Sequence, residues 1–222
     1  MALSNYSNLK TSIANWLNRS DLTSEIADDF IVLAEADFNS KLRIRKMITQ
    51  STFTIDSETE SLPTGFLQVR DMFILSGGTK NALRYVAPGQ MDQMIGTSVS
   101  GKPSAYTILG DNFRFAKKPD ASYSGVINYY KKFDTLSSTN TSNYILTDHP
   151  AIYLYGSLFH AANFLGGYNP QQVQSWQQMY ATAMERLEQN DREDQFSGSP
   201  LQVRSEDSVR SAFSNNFSIS NN

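Results

Sequence analysis

The apolar residues of this 222-residue chain change their spacing twice, and that change limits the fold more than any composition does. In "YSNLKTSIANWLNR" they recur at three and four residues, placing Leu9, Ile13, Trp16 and Leu17 on one stripe. In "DLTSEIADDFIVLAEADFNSKLR" the same spacing places Ile26, Phe30, Leu33, Ala34, Phe38 and Leu42 on another. Two amphipathic helices follow, joined by "NRSDLTSE" with Thr23 expected near the cap of the second. From about Thr52 the period becomes two: "TFTID", "LQVRDMFIL", "ALRYV", "SAYTIL", "FRFA" and "YSGVINYYKKF" read as strands of an antiparallel sheet. Gly110-Asp111 in "TILGDNFRF" suits a two-residue hairpin, and "PGQMDQMIG" predicts a short helix with Pro88 in its first turn. After Leu146 the helical period returns. "HPAIYLYGSLFHAANFLG" is expected to be capped by Asp148 with Pro150 in its first turn, and "PQQVQSWQQMYATAMERLEQNDRED" aligns Val173, Trp176, Tyr180, Ala183 and Leu187.

The expected class is therefore α+β: an antiparallel bundle of about four helices, an inserted antiparallel β-sheet module and an extended C-terminal tail. Residues 1–48 form the first helix pair, 49–134 the insertion, 135–196 the second helix pair and 197–222 the tail.

Between His149 and Glu185 there is no Asp, Glu, Lys or Arg. The run is broken at "GGYNP", and its apolar half holds Ser157, His160 and Asn163, so it falls short of a membrane span. Its first helix is apolar on nearly every side, with Gly156, Ala161 and Ala162 allowing close approach, and should be buried on more than one face. The second carries Gln172, Gln174, Gln177 and Gln178 where a solvated helix usually carries charge. Permanent interfaces are poor in Lys, Glu and Asp, which makes this surface a candidate subunit interface; an uncharged exposed face over a generous core is the alternative.

Chemistry is sparse in the sequence. A net charge of −3 argues against a dedicated nucleic-acid binder, and the absence of cysteine removes thiol nucleophiles and Cys-based zinc. "MALSNYSNLK" has no apolar core of a secretory signal, so the chain is expected to be used where it is made. "GTSVSGKP" has phosphate-loop spacing, but Pro103 stands where a hydroxyl is needed and a strand follows. His149 and His160 are eleven residues apart on one helix, about 16 Å along its axis, too far to share a metal. Asp28, Asp29, Glu35 and Asp37 read as a solvated helix face, and Ser157 lacks the flanks of a nucleophile elbow. No nucleophile, base and orienting group assemble, so no catalytic residue, metal or cofactor is expected. The basic run "KLRIRK" offers Lys41, Arg43, Arg45 and Lys46 to passing DNA phosphates, or, as the simpler reading, cations that suit a helix C-terminus.

Six stretches in order carry a resemblance: "YSNLKTSIANWLNRSDL", "FIVLAEADFNSKLRIRKM", "SLPTGFLQVRDM", "GKPSAYTILGDNFRFAKKPD", "YILTDHPAIYLYGSLFHAANFLG" and "MYATAMERLEQNDREDQFSGSPL". From Tyr6 to Leu201 the chain resembles the head-to-tail adaptor proteins of tailed bacteriophages, particularly short-tailed ones. The resemblance implies a non-enzymatic virion protein at the head-tail junction, made in the host cytoplasm. It implies a ring, dodecameric in related adaptors, that binds the portal protein, meets the tail nozzle and tail fibre proteins, and conducts double-stranded DNA. A tail-associated cell-wall hydrolase is the alternative from another class.

Beyond Leu201 no motif matches, and composition alone speaks. Ser and Asn dominate and Arg204, Glu206, Asp207 and Arg210 cancel, so the segment cannot fold alone. It nevertheless keeps Val203, Val209, Phe213, Phe217 and Ile219. Phe213, Asn215, Phe217 and Ile219 alternate as in a strand, while Val209, Phe213 and Phe217 are spaced for a helix in a groove. By analogy with the family the tail is a portal-docking arm using Val203, Arg204, Val209, Arg210, Phe213, Phe217 and Ile219; an idle terminus is the alternative.

Overall fold

A computed structural model of the chain describes residues 3–94 and 100–196. Helix α1 (Tyr6–Leu17) begins where Asn5 Oδ1 accepts the Asn8 N–H at 2.9 Å and stops at Asn18, whose φ of 52° is left-handed. Leu9, Ile13 and Leu17 are buried as their spacing predicts, whereas Trp16 is half exposed and meets the Tyr155 ring edge-on.

The second helical stretch is one rod in three parts: α2 (Thr23–Glu25), a π-helical turn (Ile26–Phe30) and α3 (Ile31–Lys41). Thr23 is the first helical residue and does not cap; Leu22 holds the cap position without a side-chain bond. The Ile31 N–H reaches the Ile26 carbonyl, a spacing of five. Such a turn holds back the rotation of the helix, so Ile26 falls in line with a buried face of Phe30, Ile31, Ala34, Glu35, Phe38 and Asn39. Leu33 is thereby turned to solvent and Glu35 is turned inward, the reverse of the expected stripe.

After a single 3₁₀ turn (Arg45–Met47) come β1 (Ile48–Ile55), β2 (Thr59–Ser61), β3 (Phe66–Ser76), β4 (Thr79–Ala82), β5 (Arg84–Tyr85), α4 (Pro88–Met94), β6 (Ala105–Leu109), β7 (Asn112–Phe115) and β8 (Tyr123–Lys131). They make two four-stranded sheets, ordered β1-β8-β3-β4 and β2-β7-β6-β5. The expected module thus divides in two, and β5 pairs with β6 in parallel. The division falls inside "ALRYV": the Leu83 N–H still reaches Met72 in one sheet, and the Arg84 N–H already reaches Ser104 beside the other. The β6–β7 hairpin turns at Gly110-Asp111, with Gly110 at φ 56°. Between the sheets Phe113 sits among the rings of Phe53, Phe66, Tyr106 and Phe115, at centroid distances of 5.8 to 6.5 Å.

The helical core is separate and centres on α6 (Pro150–Leu165). It packs against α1, the π turn, α3, the short α5 (Tyr144–Asp148) and α7 (Pro170–Phe196), which accounts for its lack of a polar face. Asp148 ends α5 and does not cap α6; His149 holds that cap position, and Asn143 caps α5 by accepting the Leu146 N–H. Among the described residues no helix is long and apolar enough to cross a membrane.

Candidate assembly surfaces

Helix α7 is about 40 Å long, judged by its 27 residues at 1.5 Å each. It opens with Pro170 after Asn169, whose Oδ1 accepts the Gln171 N–H. Trp176, Tyr180, Met184 and Leu187 are buried against the body, with Val173 and Ala183 half-buried beside them. Gln172, Gln174, Gln177 and Gln178 lie on the solvent side with the half-exposed Met179, giving an outward surface free of charge as far as Glu185.

A groove of about 440 Å³ opens between α3, α6 and α7. Phe159, His160, Ala181 and Met184 line it, and the structure brings Gln177 and Lys41 together there. Its floor is tied: Tyr180 donates to Asp37 Oδ2 at 2.7 Å, Lys41 donates to the same oxygen at 2.7 Å, and the Lys41 ammonium lies 5.7 Å from the Tyr180 ring centre. Burial and the Asp37 carboxylate hold the Tyr180 phenol well above its ordinary pKa. Burial lowers that of His160, keeping the imidazole neutral near physiological pH.

The other three cations of the basic run go elsewhere. Arg43 turns back to donate to the Asn39, Ser40 and Leu42 carbonyls at the end of α3. The Arg45 backbone N–H donates to Asp191 at 2.8 Å, and its guanidinium donates to the Asp194 carbonyl and carboxylate, holding the last turns of α7. Lys46 lies 5.5 Å from the centre of the Tyr144 ring. Side chains of Lys41 and Arg45 remain about half exposed.

The carboxylates expected on one solvated face are divided. Asp28 and Asp29 are exposed and Asp37 is half-buried, but Glu35 is 3% exposed and its Oε1 accepts both the Leu136 N–H at 2.8 Å and the Tyr153 phenol at 2.9 Å. Asn143 donates to the Tyr153 oxygen at 2.6 Å, and Asn39 Oδ1 accepts the Phe133 N–H at 3.0 Å. Together these bonds pin the segment between β8 and α5 onto α3. Among the described residues no group of three His, Asp or Glu side chains is placed to hold a metal ion.

His149 faces the Tyr144 ring at the start of α6, and Ser157 is fully buried inside it. Gly101-Lys102-Pro103 leads into strand β6, where a phosphate loop would lead into a helix. The tail residues Val203, Arg204, Val209, Arg210, Phe213, Phe217 and Ile219 lie outside the described residues.

The functional candidates are thus surfaces and ties, with no constellation of reacting groups described. A comparison with curated proteins finds no match. Residues 4–204 match the family described as SU10 adaptor protein, and across that span, which takes in both helical ends and the β insertion, the chain belongs to this family of phage head-to-tail adaptors.

Proposed function

We propose that this protein is a structural subunit of a ring that joins the portal to the tail nozzle and lets DNA pass. Family membership supports a structural adaptor at the head-tail junction. The observation that carries the ring is the uncharged exposed face of α7, because a charge there would be repeated at every subunit contact. In this reading α1, α3, α6 and α7 form an antiparallel bundle that makes the ring wall, with Gln172, Gln174, Gln177 and Gln178 at the seams. The β insertion projects from it. Lys41, Arg43, Arg45 and Lys46 keep the net positive charge that a lumen needs, even while tied within the subunit.

The tail docks the ring onto the portal. Ordering a polar segment costs conformational entropy, so a few apolar anchors must supply the gain, and Phe213, Phe217 and Ile219 are the residues available for it, with Val209 and Arg210 nearer the root. The test is co-sedimentation of purified portal with the full chain, with a chain lacking Ser205–Asn222, and with Phe213→Ser/Phe217→Ser. Portal occupancy is expected to fall in both variants while the fold is kept. Rings of wild-type protein that leave the portal bare, or equal occupancy by all three chains, would overturn this function.

A further inference from the structure

Strand β1 is an edge strand with one side open. Its eight residues pair with β8 without a register shift. On the other side no outward backbone group of Thr49–Ile55 has a partner among the described residues. Natural sheets blunt such edges with charge, proline, bulges or brevity. The opposite margin of this sheet does so: β3 carries Arg70 and Asp71 beside its register shifts, and β4 has four residues including Lys80. β1, "ITQSTFTI", has none of these devices.

What covers it is indicated by where α7 ends. Asp191 and Asp194 are bound to Arg45, three residues before β1 begins, so the chain leaves α7 beside the start of the open edge. Leu201 lies seven residues past Asp194, within about 23 Å of extended chain. Leu201–Arg204 reads "LQVR", the same tetrapeptide as Leu67–Arg70 in β3, where it forms a strand against β8. The family match ends at residue 204, so it includes this tetrapeptide and stops before the rest of the tail.

We propose that Leu201–Arg204 adds to the free edge of β1 in the same subunit, as a fifth strand of that sheet. Side chains alternate along a strand, so Leu201 and Val203 share a face. The half-buried side of β1 bears Thr49, Ser51 and Phe53, and a cleft of about 530 Å³ lies along Thr49 and Ser51 toward Tyr129 and Phe133. Leu201 and Val203 cover that side, and Gln202 and Arg204 stand outward with Gln50 and Thr52. Pro200 is placed at the strand's first residue, where its missing N–H costs nothing. The proposal leaves the residues beyond 204 for the portal, and its test uses the isolated subunit, so it does not depend on portal docking.

Hydrogen exchange over Thr49–Ile55 reads the edge directly. Removing Pro200–Asn222 is expected to speed the outward amides about tenfold, while removing Ser208–Asn222 leaves them unchanged and Val203→Pro in the full chain acts like the longer deletion. The natural chain has no cysteine, so Thr52→Cys can be paired in turn with Gln202→Cys and Arg204→Cys. Oxidation is expected to give a cross-linked monomer from at least one pair. Equal exchange in all chains would overturn the proposal, and so would cross-linked dimers without monomers, which would assign the edge to a neighbouring copy.

Discussion

Tyr153 donates its phenol proton to Glu35 across 2.9 Å, a bond that joins α6 to α3 through a carboxylate almost without solvent. Burial holds the Glu35 carboxyl above its ordinary pKa, against the opposing pull of the Leu136 and Tyr153 bonds. The folded chain therefore binds that proton more tightly than the unfolded one. The resulting stability is present below the ordinary carboxyl pKa and is lost as pH rises through the raised folded value. Glu35→Gln, neutral throughout, is expected to gain Tm relative to the parent on going from about pH 4 to about pH 7. A difference that stays flat across that range would remove the effect. Tyr153→Phe, which takes a donor from Glu35 and an acceptor from Asn143, is expected to cost about 1–3 kcal/mol at either pH.

Close approach at Gly156 gives a second prediction. A Cβ there would stand 3.1 Å from the Tyr180 ring and 3.2 Å from the Ala34 Cβ. Gly156→Val is expected to lose about 1–3 kcal/mol in urea unfolding by overpacking. Gly156→Ala is expected to come near zero, because its better helix propensity, worth up to about 1 kcal/mol, offsets a smaller displacement. Equal stability of all three chains would mean that α6 and α7 are not in close contact here.

Arg45 ties the end of α7 through exposed groups, where an ion pair contributes roughly 0–1 kcal/mol. Arg45→Ala is accordingly expected to leave global Tm within a degree or two while hastening proteolysis and amide exchange near Asp191 and Asp194. A large global loss would show that the tie supports the whole helical core.

On the outer face of α7, Gln174→Glu and Gln178→Glu are expected to leave the subunit folded by circular dichroism. Assembly measured by sedimentation velocity should weaken in both, as like charges recur at each seam. Unaltered assembly would move the subunit interface elsewhere.

Local features were the readable ones. The hairpin at Gly110-Asp111, the helix at Pro88 and the buried stripe of α7 each depend on residues within a few positions of one another, and each stands as its pattern predicts. The π turn leaves no mark in a period analysis, so Leu33 was read as buried and Glu35 as solvated. The cap at Asn143 was missed although a signal existed, an Asn ahead of Tyr144, Ile145 and Leu146. Partition of the strands into two sheets, and the tie of Arg45 to residues almost 150 positions away, depend on distant pairings that one-dimensional spacing does not encode.

The central place of α6 has a consequence for synthesis. Helices α1 and α3 find their main partner in a segment translated more than a hundred residues after them, whereas both sheets are complete by Lys131. At roughly 5–20 residues per second, the first two helices wait on the order of ten seconds with their apolar stripes uncovered. The β insertion, with its own aromatic core, is then the first part able to fold on the ribosome, and the helical body closes only when the latter part of the chain emerges.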